Sequence, residues 1–183
     1  CVAQYVQMGF MWGAGATITS EIVGNIAIDV QRGFYQHFMT STDFLHNYAN
    51  DFRYQGYYVS GYYSLMASNA ADSGGTNWKV GTTEICIAYE IHGWQGGYVI
   101  ANGCETHNGS VWEVTGNIAT EFAHNTALDI SSNYTGGSDV VLLYVDGNIR
   151  LQSHDNLAQT SAMTGTRARH YIYKIGTEYD SYT

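Results

Sequence analysis

The stretch Glu84-Ile85-Cys86-Ile87-Ala88-Tyr89-Glu90-Ile91-His92-Gly93 sets Ile85, Ile87, Tyr89 and Ile91 on one side of an extended chain and Cys86, Ala88 and Glu90 on the other. A period of two carried by branched and aromatic side chains and ended by glycine is a strand, since a helix needs apolar residues three and four apart.

The same grammar holds from about residue 54 onward. Tyr57 to Met66 is aromatic and alternating, Tyr98 shares a face with Ile100, and Trp112 shares one with Val114. Val140 to Val145 and Tyr171 to Ile175 are continuous apolar runs short enough for buried strands. Between the runs stand turn signals: Asp72-Ser73-Gly74-Gly75, Gly93 to Gly97, Asn108-Gly109, Gly136-Gly137 and Asp146-Gly147. Asn-Gly and Asp-Gly supply the positive φ of tight hairpins. Six to eight strands punctuated this way predict a mainly β protein, an antiparallel up-and-down β-barrel, with a sandwich as the competing arrangement. No repeat of fixed period is read along the chain.

Residues 1–53 read as a partly helical N-terminal extension to a barrel domain of residues 54–183. Thr19 and Ser20 suit a helix cap before Glu21, and Ile18, Ile22, Ile26 and Val30 recur at i+4, continued by Phe34 and Phe38. The alternation of Ile26, Ile28 and Val30 supports a strand over 25–30 instead. A second short helix is expected from Thr42, with Phe44, Leu45, Tyr48 and Phe52 on one face.

Composition narrows the function classes. The 183 residues are 45% hydrophobic and 13% charged, with no proline where average usage would give about nine. For 20.2 kDa, the folded surface should be roughly 8,800 Å², enough burial for a self-sufficient core. Sixteen acidic residues against seven Lys plus Arg give a net charge of −9. Such a chain offers little to phosphate backbones or anionic membrane surfaces, so neither nucleic acid nor membrane is expected as a partner. No apolar run approaches the ~20 residues of a membrane-spanning helix.

Cys1, Cys86 and Cys104 match neither a CxxC site nor a zinc ribbon; one disulfide with a spare thiol and three reduced thiols both remain open. A chain that begins at Cys1 suggests a removed leader. The sequons at Asn108 and Asn133 would be glycosylation sites in a secreted, extracellular protein. Seven histidines, His37, His46, His92, His107, His124, His154 and His170, form no HExxH pair, and no metal is expected.

Several segments resemble the lipocalins. Gly61-Tyr62-Tyr63 stands where that family opens its barrel with Gly-x-Trp, and Cys86-Ile87-Ala88-Tyr89 resembles its next strand. Asn102, Asn108 to Val111, Gly116 to Ala119 and Val141 to Asp146 continue the likeness, and His170 to Lys174 stands at the closing strand. The likeness covers about two-thirds of the chain. It implies a one-ended cup whose base is closed by Gly61, Tyr63 and Lys174, the cation lying over the Tyr63 ring. The signature Trp is replaced by Tyr63, and of the family's Thr-Asp-Tyr only Asp146 remains.

Aromatic strand residues then become the expected lining. Tyr63, Tyr89, Tyr98, Trp112, Val114, Tyr144 and Tyr173 would bind a small hydrophobic molecule (a retinoid, fatty acid, pigment or pheromone), with a lipid or pigment as the bound group. Plain core packing is the competing role of each. A non-enzymatic carrier is the first expectation. A self-assembling extracellular protein, oligomeric through its N-terminal segment, is the second. A glycosidase is the third: Glu84, Glu90, Glu113 and Glu121 lie on or beside expected strands, and Glu90 with Glu113 is the pair to test.

Overall fold

The computed structural model describes residues 1–12, 20–75, 86–132, 140–148, 150–163 and 170–175. Every described element is a strand. The first coil of the chain holds β1 (Val2–Gln4), β2 (Met8–Trp12) and β3 (Ser20–Val23). The second holds β4 (Ile26–Thr40) and β5 (Thr42–Leu45), and the third β6 (Tyr48–Tyr62) and β7 (Leu65–Ala67). Next come β8 (Ala70–Asp72), β9 (Ile87–His92) and β10 (Gln95–Ile100), then β11 (Gly103–Glu105), β12 (Ser110–Thr115) and β13 (Ile118–Ala123). The last coils hold β14 (Thr126–Ser132), β15 (Val140–Asp146) and β16 (Gln152–His154), then β17 (Leu157–Met163) and β18 (His170–Ile175).

Each coil stacks on the one before it, and the pairings are parallel. The first face runs β1, β4, β6, β8, β11, β14, β17. The second runs β2, β4, β6, β9, β12, β15, β18, with β4 and β6 long enough to bend from one face into the next. The third is β3, β5, β7, β10, β13, β16. The architecture is a parallel β-solenoid. It corrects the antiparallel barrel: among the described residues the sheet does not close on itself, and every strand pairing is parallel.

The corners explain the difference. At many of them one residue takes positive φ, as at Asp29, Asp51 and Asp129 between the first and second faces, and at His46, Ser68, Ala101, His124 and Asp155 between the third and first. One such residue turns the chain by a corner and sends the next strand along a new face. Gly93, Gly116 and Gly147 do the same between the second and third faces. Of the glycines read as hairpin signals, Gly93 and Gly147 are such corners, while Gly136 and Gly137 lie outside the described residues; positive φ serves a hairpin and a corner equally.

The expected N-terminal helices are likewise strands. The i+4 series breaks up because Ile22 points inward on the third face, Gly24 turns the corner, and Asp29 turns the next before Val30 and Phe34 point inward again. The segment from Thr42 forms β5 and enters β6, which runs unbroken through residues 53 and 54. The solenoid therefore continues without interruption across that position.

A repeat is present after all. Asn25, Asn47, Asn69, Asn102, Asn125 and Asn156 each follow a corner, at separations of 22, 22, 33, 23 and 31. From Asn47 onward each Asn Oδ1 accepts the backbone N–H of the Asn one coil earlier, at 2.9–3.1 Å, and that Asn's Nδ2 at 2.9–3.1 Å. Two residues on, Ala27, Ala49, Ala71, Cys104, Ala127 and Ala158 form an inward column of small side chains.

Space, too, is set by the stack. A Cβ on Gly9 would lie 2.7 Å from the Gly33 carbonyl oxygen, one on Gly33 2.5 Å from that of Gly56, and one on Gly56 2.7 Å from that of Ala88. Proline has little room in such a chain, because its ring removes the donor that each ladder uses.

Among the described residues the interior is packed with side chains. Phe10, Phe34, Tyr57, Tyr89 and Trp112 stack down the axis with ring centroids 5.1, 4.9, 4.7 and 6.4 Å apart, and Phe44 meets Phe34 edge-on at 5.6 Å. The accessible surface is 8565 Å², close to the sequence expectation. The Tyr57 hydroxyl lies 2.7 Å from the Asn47 carbonyl and 2.8 Å from that of Ala70, filling a buried polar gap that Phe would leave empty. Tyr57→Phe should cost about 1–2 kcal/mol in urea unfolding with the aromatic signature of the stack retained. An unchanged midpoint would mean that the two carbonyls need no donor there.

Candidate functional site on the second face

Inside-outside alternation on the second face fills the core with one column and presents another to solvent. The inward one is the aromatic stack; the outward one, by register, is Met11, Tyr35, Tyr58, Glu90, Glu113 and Tyr144. Glu90 and Glu113 are therefore direct neighbours on β9 and β12, one ladder step of about 4.8 Å apart along the axis.

Their surroundings differ. The Gln55 amide Nε2 donates to Glu90 Oε2, and Arg32 Nε donates to Gln55 Oε1 at 2.7 Å, a relay drawn from three coils. The Arg32 guanidinium also sits 5.7 Å from the Tyr54 ring centre and 6.0 Å from that of Tyr35. On the other side, burial and then the adjacent Glu90 carboxylate push the Glu113 carboxyl up to about 7. Glu113 is thus the member that holds a proton near neutrality.

Aromatic rings flank the pair at both ends. Tyr35 and Tyr58 stack with centroids 4.7 Å apart and planes 11° from parallel. Burial, Glu90 and Tyr35 raise the Tyr58 phenol. Tyr144 donates to Asp146 Oδ2 at 2.9 Å, and that bond is the main cause of its raised pKa, with Glu113 a minor one.

The other expected site residues scatter. Tyr89, Trp112 and Val114 are core residues at 0–1% exposure. Tyr89 spends its hydroxyl on the Asn69 and Gly103 carbonyls at 3.0 and 2.5 Å. Tyr63 and Tyr98 lie outside at 76% and 52% exposure, and Gly61 is buried against the Trp94 ring. Tyr173 and Lys174 belong to β18 in register with Leu143 and Tyr144; their side chains lie outside what is described. Glu84 and Asn133 also lie outside the described residues.

Asn108 is 7% exposed, with Nδ2 donating to the Gly75 carbonyl at 3.3 Å. The three cysteines are free, and burial raises the Cys86 and Cys104 thiols. Sequence reasoning missed Arg32, Gln55, Tyr35 and Tyr58. Gln55 lies 35 residues from Glu90, a distance that only the coil spacing could have revealed.

A scan of protein-family models, a search of curated proteins and a search of solved structures each find no match to this chain.

Proposed function

We propose that the second face binds a polysaccharide and cleaves it with Glu113 as general acid and Glu90 as the carboxylate. The observation that carries this is the register Glu90–Glu113 between aromatic platforms, with the proton held on Glu113. Glycoside hydrolysis needs two such carboxyl groups in opposite protonation states, and adjacent strands bring the backbones of Glu90 and Glu113 within reach of the carboxyl separation of on the order of 5 Å that retention uses. Tyr58 and Tyr144 present apolar rings with polar tips to the sugars on either side, while the solenoid axis gives a linear polymer a straight track.

In the reaction, Glu113 protonates the glycosidic oxygen as its bond to the anomeric carbon breaks. Glu90 forms an ester to that carbon through one carboxylate oxygen. Glu113, now ionised, takes a proton from water, whose oxygen displaces Glu90 and regenerates both groups. Gln55 and Arg32 hold Glu90 in place.

The test is release of reducing ends from neutral, acidic and amino polysaccharides between pH 5 and 8. Cleavage of at least one is expected, with Glu113→Gln and Glu90→Gln each lowering the rate by about 10²–10⁴ while binding persists. Cleavage unaffected by both variants, or neither binding nor cleavage anywhere in the panel, would remove the proposal.

A further inference from the structure

Outside the carboxylate face, the corner between the third and first faces carries a second cluster. His124 ends β13's coil, and His154 and Asp155 end that of β16. One ligand atom from each falls within 4.8 Å of the others. The corner is held from below: the His124 N–H donates to the His154 carbonyl at 3.3 Å, and the Asn125 N–H donates to Asn156 Oδ1 at 2.9 Å. The backbone positions of the three side chains are therefore set by the ladder, while the side chains themselves are exposed.

We infer that His124, His154 and Asp155 bind a borderline divalent transition ion such as Zn²⁺ or Ni²⁺. Two imidazoles and one carboxylate form a donor set suited to these ions, and poorly suited to Mg²⁺ or Ca²⁺, which prefer oxygen. Metal–nitrogen bonds near 2.0–2.1 Å place tetrahedral ligands roughly 3.3 Å apart, so the donor atoms need close by only about 1.5 Å. Exposed side chains reach that by rotation about χ1 and χ2. The imidazoles start 5.5 Å apart by centroid at 89° to each other, which lets two ring nitrogens converge without the rings colliding.

His154 Nδ1 lies 2.9 Å from Asp155 Oδ2, and Nε2 lies 3.4 Å from Glu121 Oε1. Coordination through His154 Nδ1 exchanges its contact with Asp155 for bonds from both groups to the ion and leaves Glu121 beside Nε2 to orient the imidazole. Glu121 also lines a shallow groove on the outer third face with Gly97, Tyr98, Ala119, Arg150 and Gln152. With three protein ligands, the ion keeps an open position for water or a groove-bound group.

Calorimetric titration of the full chain with Zn²⁺ at pH 7.5 tests the inference. One ion should bind with a Kd in the micromolar range, and millimolar Mg²⁺ should not compete. His124→Gln and His154→Gln, which keep side-chain volume at exposed positions, should each weaken binding at least tenfold with the circular dichroism spectrum unchanged. Co²⁺ should give a visible ligand-field band that disappears in both variants. No saturable Zn²⁺ binding in the parent chain, or binding weakened less than threefold in the two variants, would overturn it.

Discussion

Asn69→Ala should lower the stability of the solenoid by about 3–5 kcal/mol, a large fraction of the 5–15 kcal/mol typical of a folded domain. Asn69 is 1% exposed and sits mid-ladder. Its Oδ1 accepts the Asn47 backbone N–H at 2.9 Å, and its Nδ2 donates to the carbonyls of Phe44 and Ala67 and to Asn102 Oδ1, at 2.9, 3.1 and 2.9 Å. Alanine leaves the Asn47 N–H and the Phe44 carbonyl buried without those partners, and each orphan costs about 1–3 kcal/mol. Asn25, whose side chain is only half-buried at the first coil, is the internal comparison. Asn25→Ala should cost less than half as much in urea unfolding. Equal losses at both positions would show that the ladder contributes bond by bond, without the burial on which this expectation rests.

Stability should also respond to pH through two buried groups of opposite sign. The folded Glu113 carboxyl is raised to about 7 from 4.5. The native state binds the extra proton between those values, so stability is greatest below about 4.5 and declines as pH rises toward 7. Burial lowers His107 to about 4 from 6.5, partly offset by its hydrogen bonds to the Ser110 and Cys86 backbone. Its contribution is intact above 6.5 and disappears as pH falls to 4.

The two slopes oppose each other between about 4.5 and 6.5. Glu113→Gln should therefore gain on the parent chain as pH rises, reaching on the order of 3 kcal/mol at pH 8. His107→Gln should instead gain relative to the parent chain as pH falls below 6.5. Urea midpoints of the three chains at pH 4, 5, 6, 7 and 8 measure both differences. A pH-independent difference for Glu113→Gln would show that the carboxyl is already ionised in the fold, and it would take the general acid away from the proposed reaction.

Part of the candidate site could be read in the chain. Glu90 and Glu113 stand out as strand carboxylates among tyrosines, and the structure makes them neighbours. Their relays could not be read, because Arg32, Gln55 and Glu90 reach one another only when each coil's length is known. The repeat that would have supplied those lengths is written as Asn-x-Ala-x-Asp at Asn25, Asn47 and Asn125, but separations of 33 and 31 interrupt the two of 22. The tyrosine column reads as a pocket lining for a related reason. Alternation tells which residues share a side of a strand, and it is silent on whether that side meets a hollow or the next coil's side chains.

Local chemistry determined that the chain beyond residue 54 is β-rich, which of its residues alternate, and that Gly93 and Gly147 turn it, because period two and positive φ act between near neighbours. Whether adjacent strands run parallel or antiparallel was decided only in three dimensions. A corner residue looks the same in a hairpin and in a coil, and the choice rests on buried asparagines finding each other across 22 or more residues. The same long-range stacking fills the interior and puts two distant glutamates side by side.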